Sequence, residues 1–165
     1  MMVINNQKQA VNLKIQKTIA LLILVIAVGL IYFTDVLAHG AFGFNMDQIA
    51  GFIVGLFILY FLYHILRDHN YIYYSDTGNK FILRYFSLRP LAAKKKSIEF
   101  NKKELHKFEL KRSLLGFRES IIIYRQTPKG VAKYPPVSIT ALRRQDKNKM
   151  MASLQKLILA GQVGG

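Results

Sequence analysis

Two apolar stretches near the N-terminus decide the architecture of this 165-residue chain, TIALLILVIAVGLIYFTDV at residues 18–36 and IAGFIVGLFILYFLYHIL at residues 49–66. A helix needs about 20 predominantly apolar residues to cross the hydrocarbon core of a bilayer, and each stretch approaches that length. Leu, Ile, Val and Phe each favour insertion by roughly 0.3–0.6 kcal/mol near the centre of such a helix. We therefore expect a transmembrane hairpin over residues 18–66, with spans at 18–37 and 48–66, followed by a domain at 67–165.

The charges beside the two spans predict their orientation. Three lysines lie in the basic segment at residues 1–17, and Arg67, Lys80 and Arg84 follow the second span, whereas residues 37–48 contain neither Lys nor Arg. Because positively charged flanks tend to stay in the cytoplasm, we expect a multi-pass protein with both termini there. The alternative is a signal peptide cleaved after Ala38, but the apolar run exceeds the usual length of about 7–15 residues and a second span follows it.

The second span contains a GxxxG pattern formed by Gly51 and Gly55. Two glycines about one turn apart let another helix approach closely, so that dispersion contacts and weak hydrogen bonds form. The helix they meet is either the protein's own first span, near Ala27 and Gly29, or a separate subunit. Neither span carries a charged residue in its middle third, so nothing in the sequence indicates an ion or proton path.

After the second span the apolar residues recur with period two, which indicates short β-strands. The stretch DTGN at residues 76–79 predicts a hairpin turn, and SIIIY at residues 120–124 predicts a core strand. Pro135 and Pro136 cannot donate to a strand ladder, so we expect a bend or an edge there. Three less polar side chains alternate with charged ones at residues 105–112 and predict a half-buried strand: His106, Phe108 and Leu110.

The period becomes helical after Thr140. Met150 and Leu154 belong to one apolar stripe, and Gly161 is the expected end of this helix. Strands this short cannot bury both faces of an open sheet by themselves. We therefore expect an α+β domain with six or seven antiparallel strands in a small curved sheet or partial barrel, capped by the C-terminal amphipathic helix.

Four features together resemble bacterial membrane proteins in which a transmembrane hairpin is followed by a pleckstrin-homology-like (PH-like) domain. They are the order of the segments, the strand SIEF at residues 97–100, the turn LLGF at residues 114–117 before an Ile-rich strand, and the terminal helix. The resemblance covers residues 17–160. It implies a PH-like fold, the bacterial inner membrane, and a role in scaffolding or regulating membrane assemblies. Lipid-binding PH domains contact phosphoinositides through basic residues around the first hairpin; Lys80 and Arg84 correspond to that region, but the turn carries Asp76 and lacks a basic cluster.

The chain offers little for catalysis. It has no cysteine, and its four histidines do not group with carboxylates as metal ligands would. It contains no phosphate-binding glycine loop, nucleophile elbow or HExxH motif. We therefore expect neither an enzyme nor a cofactor, metal or small-molecule substrate.

The positive charge is concentrated in the domain, which holds 21 of the 24 Lys and Arg residues and seven of the nine acids. Such a surplus attracts polyanions, including anionic phospholipids and RNA. The clustered basic residues are the candidate lipid- or polyanion-binding side chains: Lys94, Lys95, Lys96, Lys102, Lys103, Arg143, Arg144 and Lys147. The plain alternative is a solvated surface that follows the positive-inside bias.

Two functional hypotheses follow. In the first, the protein is a non-enzymatic accessory or scaffolding subunit of a larger membrane protein complex, with its basic domain against anionic lipid. In the second, it is a membrane-tethered protein that binds RNA or the ribosome. No RNP-like aromatic motif accompanies the basic residues, which favours the first hypothesis.

Overall fold

The computed structural model describes residues 2–33, 44–89, 94–114 and 116–163. Within these ranges it contains three helices: α1 (Gln7–Phe33), α2 (Met46–Leu66) and α3 (Arg144–Val163). It also contains eight strands: β1 (Val3–Asn5), β2 (Asn70–Ser75), β3 (Lys80–Ser87), β4 (Lys96–Asn101), β5 (Leu105–Ser113), β6 (Arg118–Thr127), β7 (Gly130–Lys133) and β8 (Val137–Ser138). A 3₁₀ turn, Lys102–Glu104, connects β4 to β5.

Helices α1 and α2 are both long and apolar enough to cross a membrane, as the sequence predicts. The most apolar 18-residue stretch of α1 has a mean hydropathy of 2.2 and is 6% buried, and that of α2 has a mean hydropathy of 2.3 and is 11% buried. Such exposure is unlike that of a core helix in a soluble protein. α1 begins at Gln7, well before the predicted span, because the Asn5 side chain accepts a hydrogen bond from the Gln7 amide (2.9 Å) and starts the helix there.

The N-terminal residues also contribute a strand that the sequence pattern does not predict. Val3–Asn5 pairs antiparallel with β2, and Ile4 lies opposite Tyr74 with only 4% of its surface exposed. Residues 11–65 form one compact unit, and the chain on either side of them forms the other. The hairpin is therefore inserted between the first and second strands of the domain, rather than preceding the whole domain. Cleavage after Ala38 would remove both β1 and α1 from the chain.

The strands form two four-stranded antiparallel sheets. The first has the order β1-β2-β3-β4; the second has the order β5-β6-β7, with β8 also paired to β6. The predicted α+β class and antiparallel strands are confirmed, but the described strands make two open sheets instead of one partial barrel. The PH-like assignment stays a prediction. Residues 76–79 form the predicted turn between β2 and β3, and the two prolines lie in the bend between β7 and β8.

One hydrophobic core joins both sheets to α3. Its fully buried side chains include Ile72, Tyr74 and Phe81 from the first sheet, Ile121 and Ile123 from the second, and Met150 and Leu154 from the helix. The predicted core strand and the predicted helix stripe are thus confirmed.

Two details of the sequence analysis were wrong. α3 does not end at Gly161 but continues to Val163. In β5 the register shifts between Leu105 and Lys107, which leaves His106 exposed and Leu110 50% exposed, while Phe108 packs partly against the core. An irregularity of this kind interrupts the alternation on which the half-buried pattern depends.

Candidate lipid-binding surface

The chain leaves the domain for the hairpin and returns to it at one end of the first sheet. α1 begins two residues after β1 ends, and α2 ends four residues before β2 begins. The antiparallel register places Asn70, the first residue of β2, opposite Ser87, the last residue of β3. We call this the junction end of the domain. The opposite end carries the β2–β3 and β6–β7 turns.

Asp68 ties the two sheets together at the junction end. Its Oδ1 lies 2.9 Å from Nε of Arg89, just after β3, and its Oδ2 lies 2.7 Å from Nη2 of Arg118, the first residue of β6. The Asp68 side chain is only 11% exposed, so both ion pairs are partly shielded from solvent. One carboxylate shared by two guanidinium groups leaves this region positively charged.

Asn6 fixes the point at which the chain leaves the sheet for α1. The residue is fully buried; its Nδ2 donates to the Asn70 carbonyl (3.0 Å), and its Oδ1 accepts from the Ile72 amide (2.7 Å). The Asn6 carbonyl accepts instead from the amide of Ala10 in the first turn of α1 (2.9 Å). The Asn6 amide still donates to the Ile72 carbonyl (3.2 Å), and the side chain supplies the further hydrogen bonds that a longer β1 would have made to β2.

A second polar network lies at the opposite end, around Asp76. Its carboxylate accepts hydrogen bonds from the Met2 amide and the Ser153 hydroxyl, and Ser153 is also hydrogen-bonded to the Tyr74 hydroxyl (2.7 Å). Burial alone would raise the pKa of Asp76, but the bonds from Ser153 and Met2, with the charge of Lys102, hold it below its ordinary value. Burial raises the pKa of Tyr74 to about 12. This network joins the chain beside β1 and β2 to α3, and it therefore holds these elements together.

The structure separates the basic residues that the sequence groups together. Lys94, Lys95 and Lys96 are exposed at or just before the start of β4; Lys96 pairs with Tyr85 near the end of β3, which places all three at the junction end. Lys102 and Lys103 follow β4 and lie at the opposite end. With a rise of about 3.3 Å per residue, the six residues of β4 place the two clusters roughly 20 Å apart.

The basic residues at the start of α3 lie at the junction end as well. Arg143 and Arg144 are exposed, and the Gln9 amide, oriented with its oxygen toward Arg143, accepts a hydrogen bond from Arg143 Nε (2.9 Å). Near the other end of α3, Gly161 lies beside the Lys103 carbonyl. Gly161 follows Arg144 by 17 positions, which corresponds to about 25 Å along a helix, so the basic residues at the start of α3 do not form one patch with Lys103.

Two of the candidate basic side chains, those of Lys147 and Lys102, bind other groups of the domain. Lys147 Nζ contacts Glu119, and only 18% of the Lys147 side chain is exposed. This contact, together with Arg112, holds the pKa of Glu119 below its ordinary value. Lys102 Nζ donates to the Asp76 carbonyl. The candidate residues exposed at the junction end are therefore Lys94, Lys95, Lys96, Arg143 and Arg144.

The GxxxG surface of α2 is open. A Cβ atom built on Gly51 or on Gly55 would meet no described atom within 4 Å, and the same holds for Gly29 in α1. Gly55 lines a shallow groove of about 370 Å³, together with Phe52, Leu56, Ile58 and Leu59. The two helices are linked near their loop ends, where the Tyr32 hydroxyl donates to Asp47 Oδ1 (2.8 Å). Among the described residues, the glycines of α2 do not pack against α1.

The described part of the chain holds no group of three or more His, Cys, Asp or Glu residues that could bind a metal ion. Comparison of the chain with models of protein families, with curated proteins and with solved structures gave no match.

Proposed function

We propose that this chain is a non-enzymatic accessory or scaffolding subunit of a larger membrane protein complex in the bacterial inner membrane. The uncovered GxxxG surface of α2 carries the proposal. Because the tight approach allowed by Gly51 and Gly55 is not used by α1, another transmembrane helix is the partner that fits this surface. A hairpin whose helices are exposed over most of their length has ample surface for such a partner.

The connection of the hairpin to the domain supports a topology with both termini in the cytoplasm. Residue 10 and residue 66 both belong to the domain, so the two spans start and finish on the same side of the bilayer. The lysines at positions 8, 14 and 17 and the basic domain favour the cytoplasmic side.

Anionic phospholipid is the second partner in this proposal. The junction end is the part of the domain closest to the spans along the chain, and it exposes Lys94, Lys95, Lys96, Arg143 and Arg144. Each basic side chain near an anionic leaflet contributes roughly 1 kcal/mol of attraction. Together the five would contribute about 5 kcal/mol of attraction to an anionic leaflet.

Affinity purification of the tagged full-length protein in a mild detergent tests the accessory-subunit proposal. We expect one stoichiometric membrane protein to co-purify, and we expect Gly51→Leu with Gly55→Leu to release it, because two isobutyl groups would hold the partner helix away. Gly29→Leu is the matched control, since it adds the same side chain to α1. Co-purification that the double substitution leaves unchanged would count against this surface.

RNA or ribosome binding is the second candidate function. Lys80 and Lys103 are exposed at the opposite end of the first sheet, away from the junction end, where they suit a soluble polyanion. The full-length protein in neutral nanodiscs would then bind RNA with a steep dependence on salt. Stronger binding to anionic than to neutral vesicles, with weak binding to RNA, would favour the lipid-facing proposal instead.

A further inference from the structure

The turn between β5 and β6 combines exposed apolar side chains with an unusual backbone. The Phe117 amide donates to the Leu114 carbonyl (3.0 Å) and closes the turn; Leu114 has φ 54° and Gly116 has φ 89°. Leu114 is 46% exposed and Phe117 is 50% exposed. A leucine with positive φ is uncommon, because the left-handed conformation crowds its Cβ atom.

Turns at the opposite end of the domain have the polar composition expected in water. Residues 76–79 read Asp-Thr-Gly-Asn and residues 127–130 read Thr-Pro-Lys-Gly, with Gly78 and Gly130 in the positive-φ positions. Gly, Asn, Asp and Pro favour such turns because they either adopt the required dihedral angles or hydrogen-bond to the local backbone. The β5–β6 turn, at the junction end, places Leu and Phe where its counterparts place polar residues.

The position of this turn suits contact with the membrane. Phe117 precedes Arg118, whose guanidinium binds Asp68, and Asp68 lies two residues after the end of α2. The turn is thus within side-chain reach of the residues that follow the second span. Basic residues flank it on both sides, and the Arg112 side chain is 78% exposed.

Apolar side chains bordered by basic ones match the chemistry of a bilayer surface. Leu and Phe side chains enter the boundary between headgroups and acyl chains, and Lys and Arg remain at the level of the anionic headgroups. We propose that the β5–β6 turn inserts the Leu114 side chain into the interfacial region of the bilayer that the hairpin spans. This inference rests on the proposed membrane topology. It adds a contact between the domain and the bilayer to the two chain connections that lead into α1 and out of α2.

Single cysteine substitutions test the inference, since the chain contains no native cysteine. Leu59→Cys, Leu114→Cys and Val131→Cys are each labelled with an environment-sensitive fluorophore in the full-length protein and reconstituted into vesicles containing anionic phospholipid. Leu59 lies within α2, and Val131 is an apolar residue with 48% exposure beside the β6–β7 turn. Val131 is therefore the matched control for Leu114, which has nearly the same exposure at the other end of the domain.

We expect emission at short wavelength and quenching by lipid-attached quenchers for the labels at positions 59 and 114, and quenching by aqueous iodide for the label at position 131. Iodide quenching at position 114, with lipid quenching at position 59, would overturn the inference while leaving the hairpin intact. A label at position 114 that is shielded from both quenchers would also overturn it, because protein would then cover the turn. Iodide quenching at position 59 would refute the spanning hairpin and the inference together.

Discussion

Replacing Asn6 with alanine is expected to destabilise the domain far more than the same change at its neighbour. Asn6 is fully buried and its side chain makes two hydrogen bonds to β2, one with the Asn70 carbonyl and one with the Ile72 amide. Asn70 and Ile72 are 6% and 0% exposed, so water cannot easily replace the lost partner. Asn6→Ala therefore leaves one buried acceptor and one buried donor without the groups that satisfy them now.

The magnitude follows from the cost of unpaired buried groups. Each costs about 1–3 kcal/mol, so the loss of stability is about 2–6 kcal/mol, a large share of the 5–15 kcal/mol or so that holds a typical domain together. Asn5→Ala is the matched control: its exposed side chain makes one bond, to the Gln7 amide, at the start of α1. Loss of such a helix-starting contact costs about 1 kcal/mol.

Urea denaturation of the full-length protein in a nonionic detergent measures both changes. Near-UV circular dichroism of the tyrosines reports on the domain, because Tyr74 and Tyr85 are buried in its core. With a urea m-value of about 2 kcal/mol per molar, we expect the midpoint to fall by about 1–3 M for Asn6→Ala and by about 0.5 M for Asn5→Ala. Equal midpoints for the two variants, with equal m-values, would refute the view that Asn6 completes the β2 ladder.

Three further predictions concern charged and ionisable groups. Asp68→Ala should lower the urea midpoint by the equivalent of about 1–3 kcal/mol, because two arginines then lose the shielded carboxylate to which they are paired. Glu109→Ala is the comparison: its partner Lys107 is 50% exposed, so we expect a change of less than about 1 kcal/mol. The folded-state pKa values of Asp76 and Glu119 lie below their ordinary values of 3.8 and 4.5. The stability that these carboxylates contribute should therefore be complete above those ordinary values and should decline as the pH falls further. Asp76→Asn should make the stability of the domain less dependent on pH in this acidic range. Burial raises the pKa of Tyr74 to about 12, so an absorbance titration should show one phenol ionising near that pH, and Tyr74→Phe should remove that step.

The sequence alone correctly predicts the elements whose formation depends on residues close together in the chain. The spans follow from length and apolar composition, the β2–β3 turn from its Asp-Thr-Gly-Asn stretch, and the core position of β6 from its three consecutive isoleucines. The stripe of α3, with Met150 and Leu154, follows from its helical period. β1 escaped prediction because three residues are too short to show a period, and its partner β2 lies more than 60 positions away.

The candidate lipid-binding surface, too, was only partly predictable from the sequence. Composition located the positive charge in the domain and identified the clusters, but it could not say which of them share an end. Lys96 and Lys103 are close in sequence, yet the extended strand between them places their clusters at opposite ends of the sheet. Lys147, basic like its neighbours, contacts Glu119 on a different element.

The amino-acid sequence by itself therefore determined two apolar helices, a basic antiparallel domain and an amphipathic terminal helix, because each depends on composition and period within a few turns or strands. Only the tertiary structure decided that the hairpin is inserted between β1 and β2, with Asn6 and Asp68 holding the junction. It also decided that an apolar turn lies at that same end. The physical reason is that strand pairing and ion pairing join residues far apart in the chain, and their register is set by the packing of the whole core.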